Sequence, residues 1–441
     1  MNARRSRAAL RARRAPLRAH RHLARLRARQ RGVAALFVTA MLGFAMVLAV
    51  ALAQRNVVVE EQRSANELRA ARAFAAADAG LEWALARIND PSRIGDDCRP
   101  SSDAAARPFR VRMLRIAVPG GDLTALTWND AGVPTPWQAA CVRGAAGGWS
   151  CSCPADRRPT LAVADDGAVS AFVVELAPST RAHVIRVIAT GCTRPIAAGS
   201  CGDDASHEAE ARLEAEWALL PALRSPPAAA LTARGDVDVG AAPLGVQRDQ
   251  ASALALHAGG RIAASALRID VPPGGSRGGA LVAGDALLHA LSADRFFARY
   301  FGIGAAAWAA QPAARRVACA DDCSRSLAQA AAAGARLLAI DGDATISGPL
   351  ALGSADDPIV LVATGALHLS GDVAIHGVVH AATLDWSDAV TGAAFVRGAT
   401  LVGGDVGGNA GADLRRDADV LTRLTAASGS FVRVDGSWKD F

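Results

Sequence analysis

Eight cysteines, at 98, 141, 151, 153, 192, 201, 319 and 323, are the side chains of this 441-residue chain best suited to covalent chemistry. All lie beyond an apolar stretch that ends at Ala53. An even count in a region placed outside the cytoplasm reads as a disulfide framework. Eight thiols allow on the order of a hundred pairings, so connectivity does not follow from the sequence. The close loops single out Cys192 with Cys201 and Cys319 with Cys323 as the expected pairs. Cys151 and Cys153, one residue apart, are too near to bridge each other comfortably, which directs them toward Cys98 and Cys141. Zinc is the alternative, but it wants paired Cys-x2-4-Cys units with histidine or more cysteine. "C-A-D-D-C" at 319–323 alone approaches that spacing.

Other chemistry is sparse. Histidines 183, 207, 257, 289, 368, 376 and 380 are scattered. His368, His376 and His380 come nearest to a cluster, because strands over 365–380 could stack them; outward polar positions on a sheet account for them without a metal. Asp341 and Asp343 in "D-G-D" offer oxygens but lack the D-x-D-x-D-G loop and downstream glutamate of a calcium site. The acid pairs Asp203-Asp204, Asp321-Asp322 and Asp356-Asp357 read as solvated loop carboxylates. No H-E-x-x-H, phosphate loop or clean dinucleotide fingerprint occurs. The expectation is a protein that is not an enzyme and carries no cofactor or metal.

The elements that must position these residues begin with a basic run. The formal net charge is +6, yet residues 1–31 hold 12 arginines and no acid, so everything after Gly32 sums to −6. An acidic body lacks the basic face that nucleic acid requires. Arginines abutting an apolar segment instead hold an N-terminus in the cytoplasm. Val33 to Ala53 carries no charge, and as a helix it spans roughly 30 Å, the thickness of a bilayer core. That is long for a cleavable signal. Ala51-Leu52-Ala53 before Gln54 nevertheless fits a signal peptidase site, so a secreted or periplasmic binding protein, for example a carbohydrate-binding β-solenoid released after Ala53, is the rival reading.

Downstream, no helix breaker except Gly80 intervenes before Asp90-Pro91. Phe74, Leu81, Leu85 and Ile88 recur at helical spacing as one apolar stripe, with Arg69, Arg72, Glu82 and Arg87 on the other sides. A continuous helix from Val33 to Asn89 is about 85 Å long, its first half in lipid and its second half-buried on something soluble.

The Arg-Gly junction, the apolar helix and "A-F-A-A-A-D-A-G-L-E" at 73–82 resemble the N-terminal segment of PilX-type minor pilins of type IV pili, in which an "A-x-x-A-A-E-A-G-L" stretch is a hallmark. The resemblance covers roughly residues 30–90, and the closing "G-S-W-K-D-F" extends it more weakly to the whole chain. It implies that a prepilin peptidase cuts between Gly32 and Val33, that Val33 is methylated, and that Phe37, Phe74, Asp78, Gly80, Leu81 and Leu85 belong to the assembly helix. Many pilins carry Phe or Met just after the cut and a glutamate at the fifth mature position; this chain has Val33 and Phe37 there. PilX-like and pseudopilin K-like subunits often lack that glutamate, which implies a rare tip or initiating subunit. The implied role is pilus assembly, with adhesion and twitching motility dependent on it. The implied partners are other major and minor pilins, a tip or assembly protein, prepilin peptidase and the inner membrane, crossed once with the N-terminus cytoplasmic.

Beyond the helix the period changes. Residues 170–177 and 182–191 read as strands. "E-A-E-A-R-L-E-A-E-W" at 208–217 alternates strictly, with Glu208, Glu210, Arg212, Glu214 and Glu216 on a solvated face and Ala209, Ala211, Leu213, Ala215 and Trp217 on a buried one. Pro226-Pro227 marks a boundary. The short glycine-closed strands that follow suggest a solenoid, favoured here, or a β-sandwich. The expected fold is α+β: a basic leader (1–32), a transmembrane and amphipathic helix (33–90) packed on an antiparallel pilin-like sheet (91–222), and a β-rich C-terminal domain (223–441) with a helical insertion near 294–335.

Overall fold

The structure, a computed structural model, describes residues 24–441 except 104, 145–146, 162–168, 203–208, 242, 248–253, 266, 272 and 410; at 24–32 and 264 it describes the backbone alone. Residues 1–23 of the basic leader, together with Asp203, Asp204, His207 and Glu208, lie outside the described residues. The chain divides into two units, one up to Leu68 and one from Arg69 to Phe441.

One helix, α1 (Ala24–Asn89), contributes to both. Gly32 therefore lies within helix, and the expected boundary at 32/33 is not a break in the backbone. The stop is sharper. Pro91 has no N–H to donate and disfavours helix in the residue before it. Asp90 caps the turn by accepting from the Ser92 N–H at 2.9 Å.

Within the second unit, β1 (Gln138–Arg143), β2 (Trp149–Ser152), β3 (Ala171–Pro178), β4 (Val184–Cys192) and β5 (Glu210–Pro221) form an antiparallel sheet in the order β5-β4-β3-β1-β2. The apolar positions of β5 face a core shared with α1, where Leu213, Ala215 and Trp217 are buried. The opposite face departs from the expected solvated ladder. Glu214 is only 7% exposed and Glu216 is half-buried. Both are held by arginines: Arg212 of the same strand and Arg186 of β4 lie 2.7 and 3.6 Å from Glu214, and Arg181, in the turn between β3 and β4, lies 3.2 Å from Glu216. Carboxylates this enclosed need such partners to stay charged.

The remainder is a parallel solenoid. Its longer row of strands includes β6 (Leu231–Ala233), β7 (Leu256–Ala258), β8 (Leu281–Val282), β9 (Ala314–Arg316), β10 (Leu337–Ile340), β11 (Ile359–Ala363), β12 (Val373–Ala381) and β13 (Phe395–Val402). Every pairing among them is parallel, which excludes a sandwich of antiparallel sheets. The chain enters in the middle: Leu231 pairs with Leu256, which pairs with Leu281, and the winding then restarts at Ala314 and returns through Leu337 and Val360 until Thr400 closes against Leu231. In β11 the side chains alternate between two cores. Ile359, Leu361 and Ala363 fill the solenoid interior, whereas Val360 and Val362 pack outward under helices Ala293–Phe301, Ala305–Ala309 and Ala418–Ala426. A sheet covered on both faces has no polar side, so "I-V-L-V-A" shows no alternation.

Two boundaries shift. The helical insertion expected at 294–335 is interrupted by β9, a three-residue strand whose "A-R-R" lacks any β-branched signal. The C-terminal domain does not run to 441 either. Strands β14 (Gly429–Arg433) and β15 (Lys439–Asp440) return to the first sheet and pair with β5, which would otherwise present an open edge. The buried Asn89 side chain fastens this return, donating to the Phe431 carbonyl at 3.0 Å and accepting from its N–H at 2.7 Å.

Candidate functional site

Side chains of α1 from Val33 to Ser64 are all exposed, Val33 at 72% and Phe37 at 64% among them. The helix is long and apolar enough to cross a membrane. The one polar side chain between Val33 and Ala53, Thr39, donates its hydroxyl to the Leu36 carbonyl at 3.0 Å, the internal pairing that a hydroxyl placed in hydrocarbon would need. The first described ion pair, Arg63 with Glu67 at 3.1 Å, comes after the apolar segment. Gly32, the expected processing position, is followed by uncharged residues through Ala53.

From Arg69 onward the helix is part of a core, but with a different face inward than the large residues suggest. Ala73, Ala76, Ala77, Leu81, Ala84 and Ile88 are buried, Leu85 is half-buried, and Phe74 is 40% exposed with its ring edge-on to Trp438. Phe74 therefore leaves the expected stripe. The cause is the separation between helix and sheet. A Cβ built on Gly191 of β4 falls 2.0 Å from the Ala73 carbonyl oxygen and 2.4 Å from the Ala77 nitrogen. Backbone meets backbone there, and only alanine-sized residues fit at 73 and 77. Gly80 instead makes room for a side chain: the Phe172 ring carbon lies 3.0 Å from its would-be Cβ. Asp78 is exposed, and Glu82 reaches Arg433 of the returning strand at 2.6 Å.

The cysteines pair as Cys98–Cys153, Cys141–Cys151, Cys192–Cys201 and Cys319–Cys323. No cysteine is free. Among the described residues, no group of three or more His, Cys, Asp or Glu side chains converges as a metal would require. His368 belongs to the shorter row of solenoid strands, while His376 and His380 sit on β12. One spacing escaped the sequence reading: Gly274-Gly275-Ser276-Arg277-Gly278 fits G-x-S-x-G. It lies in an exposed turn, not at the strand-to-helix elbow a nucleophile of that type needs. His257 pairs with Asp285 at 2.7 Å, which with the Leu287 and Leu288 N–H groups holds that carboxyl below its ordinary pKa. Asp285 is thereby occupied as a helix cap.

His380 is 7% exposed and sits among the rings of Phe296, Phe297 and Phe301 at 6.3, 4.8 and 5.9 Å. Neither ring nitrogen has a hydrogen-bond partner among the described residues. Burial lowers its pKa from 6.5 to about 4. An unfolded His380 takes up a proton below pH 6.5 while the folded one resists until about pH 4. Its stabilising contribution is therefore complete above pH 6.5 and lost as pH falls toward 4, by about 3 kcal/mol. His380→Phe should flatten that part of the stability profile, measured as the wild-type minus variant difference in unfolding free energy between pH 7 and 4; parallel profiles would refute it.

No family model and no curated protein matches this chain. Among solved structures, the competence-associated pilin ComZ from Thermus thermophilus aligns over 85% of this chain and 97% of its own length, at 11% identity and a TM-score of 0.22. A likeness that slight carries no argument about fold or function.

Proposed function

We propose that the protein is a non-enzymatic minor pilin-like subunit of the PilX type, acting in type IV pilus assembly at or near the fibre tip. The observation that carries the reading is the division of α1: uncovered and uncharged from Val33 to Ala53, yet core-forming from Ala73 to Ile88 against an antiparallel sheet. An uncovered apolar helix suits first a bilayer and then the packed helices of neighbouring subunits. The arginines before Gly32 orient the chain with its N-terminus cytoplasmic. Prepilin peptidase removes them, and the four disulfides form on the oxidising side. The missing glutamate at Phe37 and the bulk of the solenoid fit a tip position better than a place in the shaft. The other pilins and a tip or assembly protein are the partners. Deleting the chain should reduce surface piliation, and the protein should co-purify with sheared fibres. Normal piliation, twitching and adhesion in the deletion strain would overturn the proposal.

A further inference from the structure

Inside the second unit, a cleft of about 690 Å³ begins beside the last turn of α1 and continues past Asn89, Asp90, Pro91 and Ala313 into a second hollow of about 680 Å³. The two hollows adjoin at these shared residues and are taken together as a groove. Seven arginines line it, and four of them stand apart from the rest: Arg93, Arg107 and Arg115 in the first part and Arg315 in the second. All four are exposed, and among the described residues none makes a side-chain hydrogen bond or ion pair. The carboxylates in the walls do not neutralise them: Asp90 is held by Arg87 at 3.2 Å and Asp357 by Arg336 at 2.5 Å. In a body whose net charge after Gly32 is −6, such a concentration of unpaired cations is an exception. The groove also has an apolar part, with Val111 52% exposed.

One wall is a sheet edge. Strand β9 ends the longer row of the solenoid and pairs only with β10. A short charged edge strand is one way to discourage aggregation, and that accounts for Arg315 and Arg316. It does not account for Arg93, Arg107 and Arg115, which come from a different segment of the chain.

We propose that this groove binds an extended acidic peptide segment of a partner protein, added as a strand beside β9. Strand addition supplies main-chain hydrogen bonds, and the two-residue period of a strand sends every second side chain to one side. Aspartate or glutamate at those positions meets the arginines, and the intervening residues cover the apolar wall. An acidic polysaccharide satisfies the charge but has no use for a sheet edge.

The full chain in detergent micelles can be titrated into labelled synthetic peptides, with binding followed by fluorescence anisotropy. A peptide of alternating Glu and Val should bind saturably, and its Gln–Val counterpart should bind at least about tenfold more weakly, since charge-assisted hydrogen bonds are lost. Methylating alternate backbone nitrogens of the Glu–Val peptide should weaken it about tenfold again, at the level of one or two hydrogen bonds. Arg115→Gln with Arg315→Gln, both exposed and unpaired and so without consequence for folding, should reduce affinity by about tenfold or more. The inference is overturned if the Glu–Val peptide does not bind, if the double variant binds it unchanged, if backbone methylation has no effect, or if an oligogalacturonate binds as tightly.

Discussion

Gly191→Val is expected to cost at least about 4 kcal/mol in unfolding free energy, within the range that marks exceptional single substitutions. The reason is geometric. The first carbon added at Gly191 meets the Ala73 carbonyl oxygen at 2.0 Å and the Ala77 nitrogen at 2.4 Å. Neither atom can rotate away as a side chain does, so the helix must lift from the sheet and expose a face that includes Leu81, Ala84 and Ile88. Ordinary overpacking, where side chains can adjust, costs about 1–3 kcal/mol. Gly80→Ala provides the contrast. Its new methyl meets the Phe172 ring at 3.0 Å and the Ala189 methyl at 3.3 Å. A small shift there is offset by about 1 kcal/mol of improved helix propensity, so the net change should stay within about 1 kcal/mol. Denaturant unfolding of the full chain in detergent measures both; equal and small effects would show that the helix is not seated this closely on β4.

The second large effect belongs to the Cys98–Cys153 disulfide. It closes a loop of 55 residues and fastens the segment after α1 to the chain beyond β2. Loop entropy in the unfolded state grows with the length enclosed, giving about 4 kcal/mol for this bridge. The four-residue separation of Cys319 and Cys323 gives about 2 kcal/mol by the same argument. Paired alanine substitutions should keep that order: Cys98→Ala with Cys153→Ala should lower stability about twice as much as Cys319→Ala with Cys323→Ala. The reverse order in thermal or denaturant unfolding would contradict the loop account. Both half-cystines of the longer bridge are buried, Cys98 at 2% and Cys153 at 4% exposure. The substitutions therefore add a packing loss in the same direction.

Local patterns in the sequence carry much of this fold. The helix and its proline stop are visible in residues 33–91, and the alternation of residues 210–217 is visible because one face of β5 lies on a core. The pairing of Cys192 with Cys201 rests on proximity along the chain, which a sequence displays directly. Relationships between distant segments are not displayed. Nothing near Gly191 announces that α1 will lie against it, so the buried face of the helix reads as the one with Phe74 when it is the one with Ala73 and Ala77. The return of β14 depends on two hydrogen bonds between Asn89 and Phe431, more than three hundred residues apart. The solenoid's entry at its middle is invisible for the same reason, since Leu231 pairs with Thr400 across a long stretch of intervening chain. Short range also misleads about charge. Glu214 belongs to an alternating polar set, yet it is enclosed because Arg186 and Arg212 converge on it from β4 and its own strand.

The central claim is that the apolar half of α1 remains with the mature protein as an anchor and packing segment after the arginines are removed. N-terminal sequencing and intact mass of the protein isolated from cell envelopes test it directly. The account predicts an N-methylated Val33 as the first residue. A mature chain beginning at Gln54 would make the segment a discarded secretion signal, and an N-terminus upstream of Gly32 would make it an unprocessed anchor; either result contradicts the account.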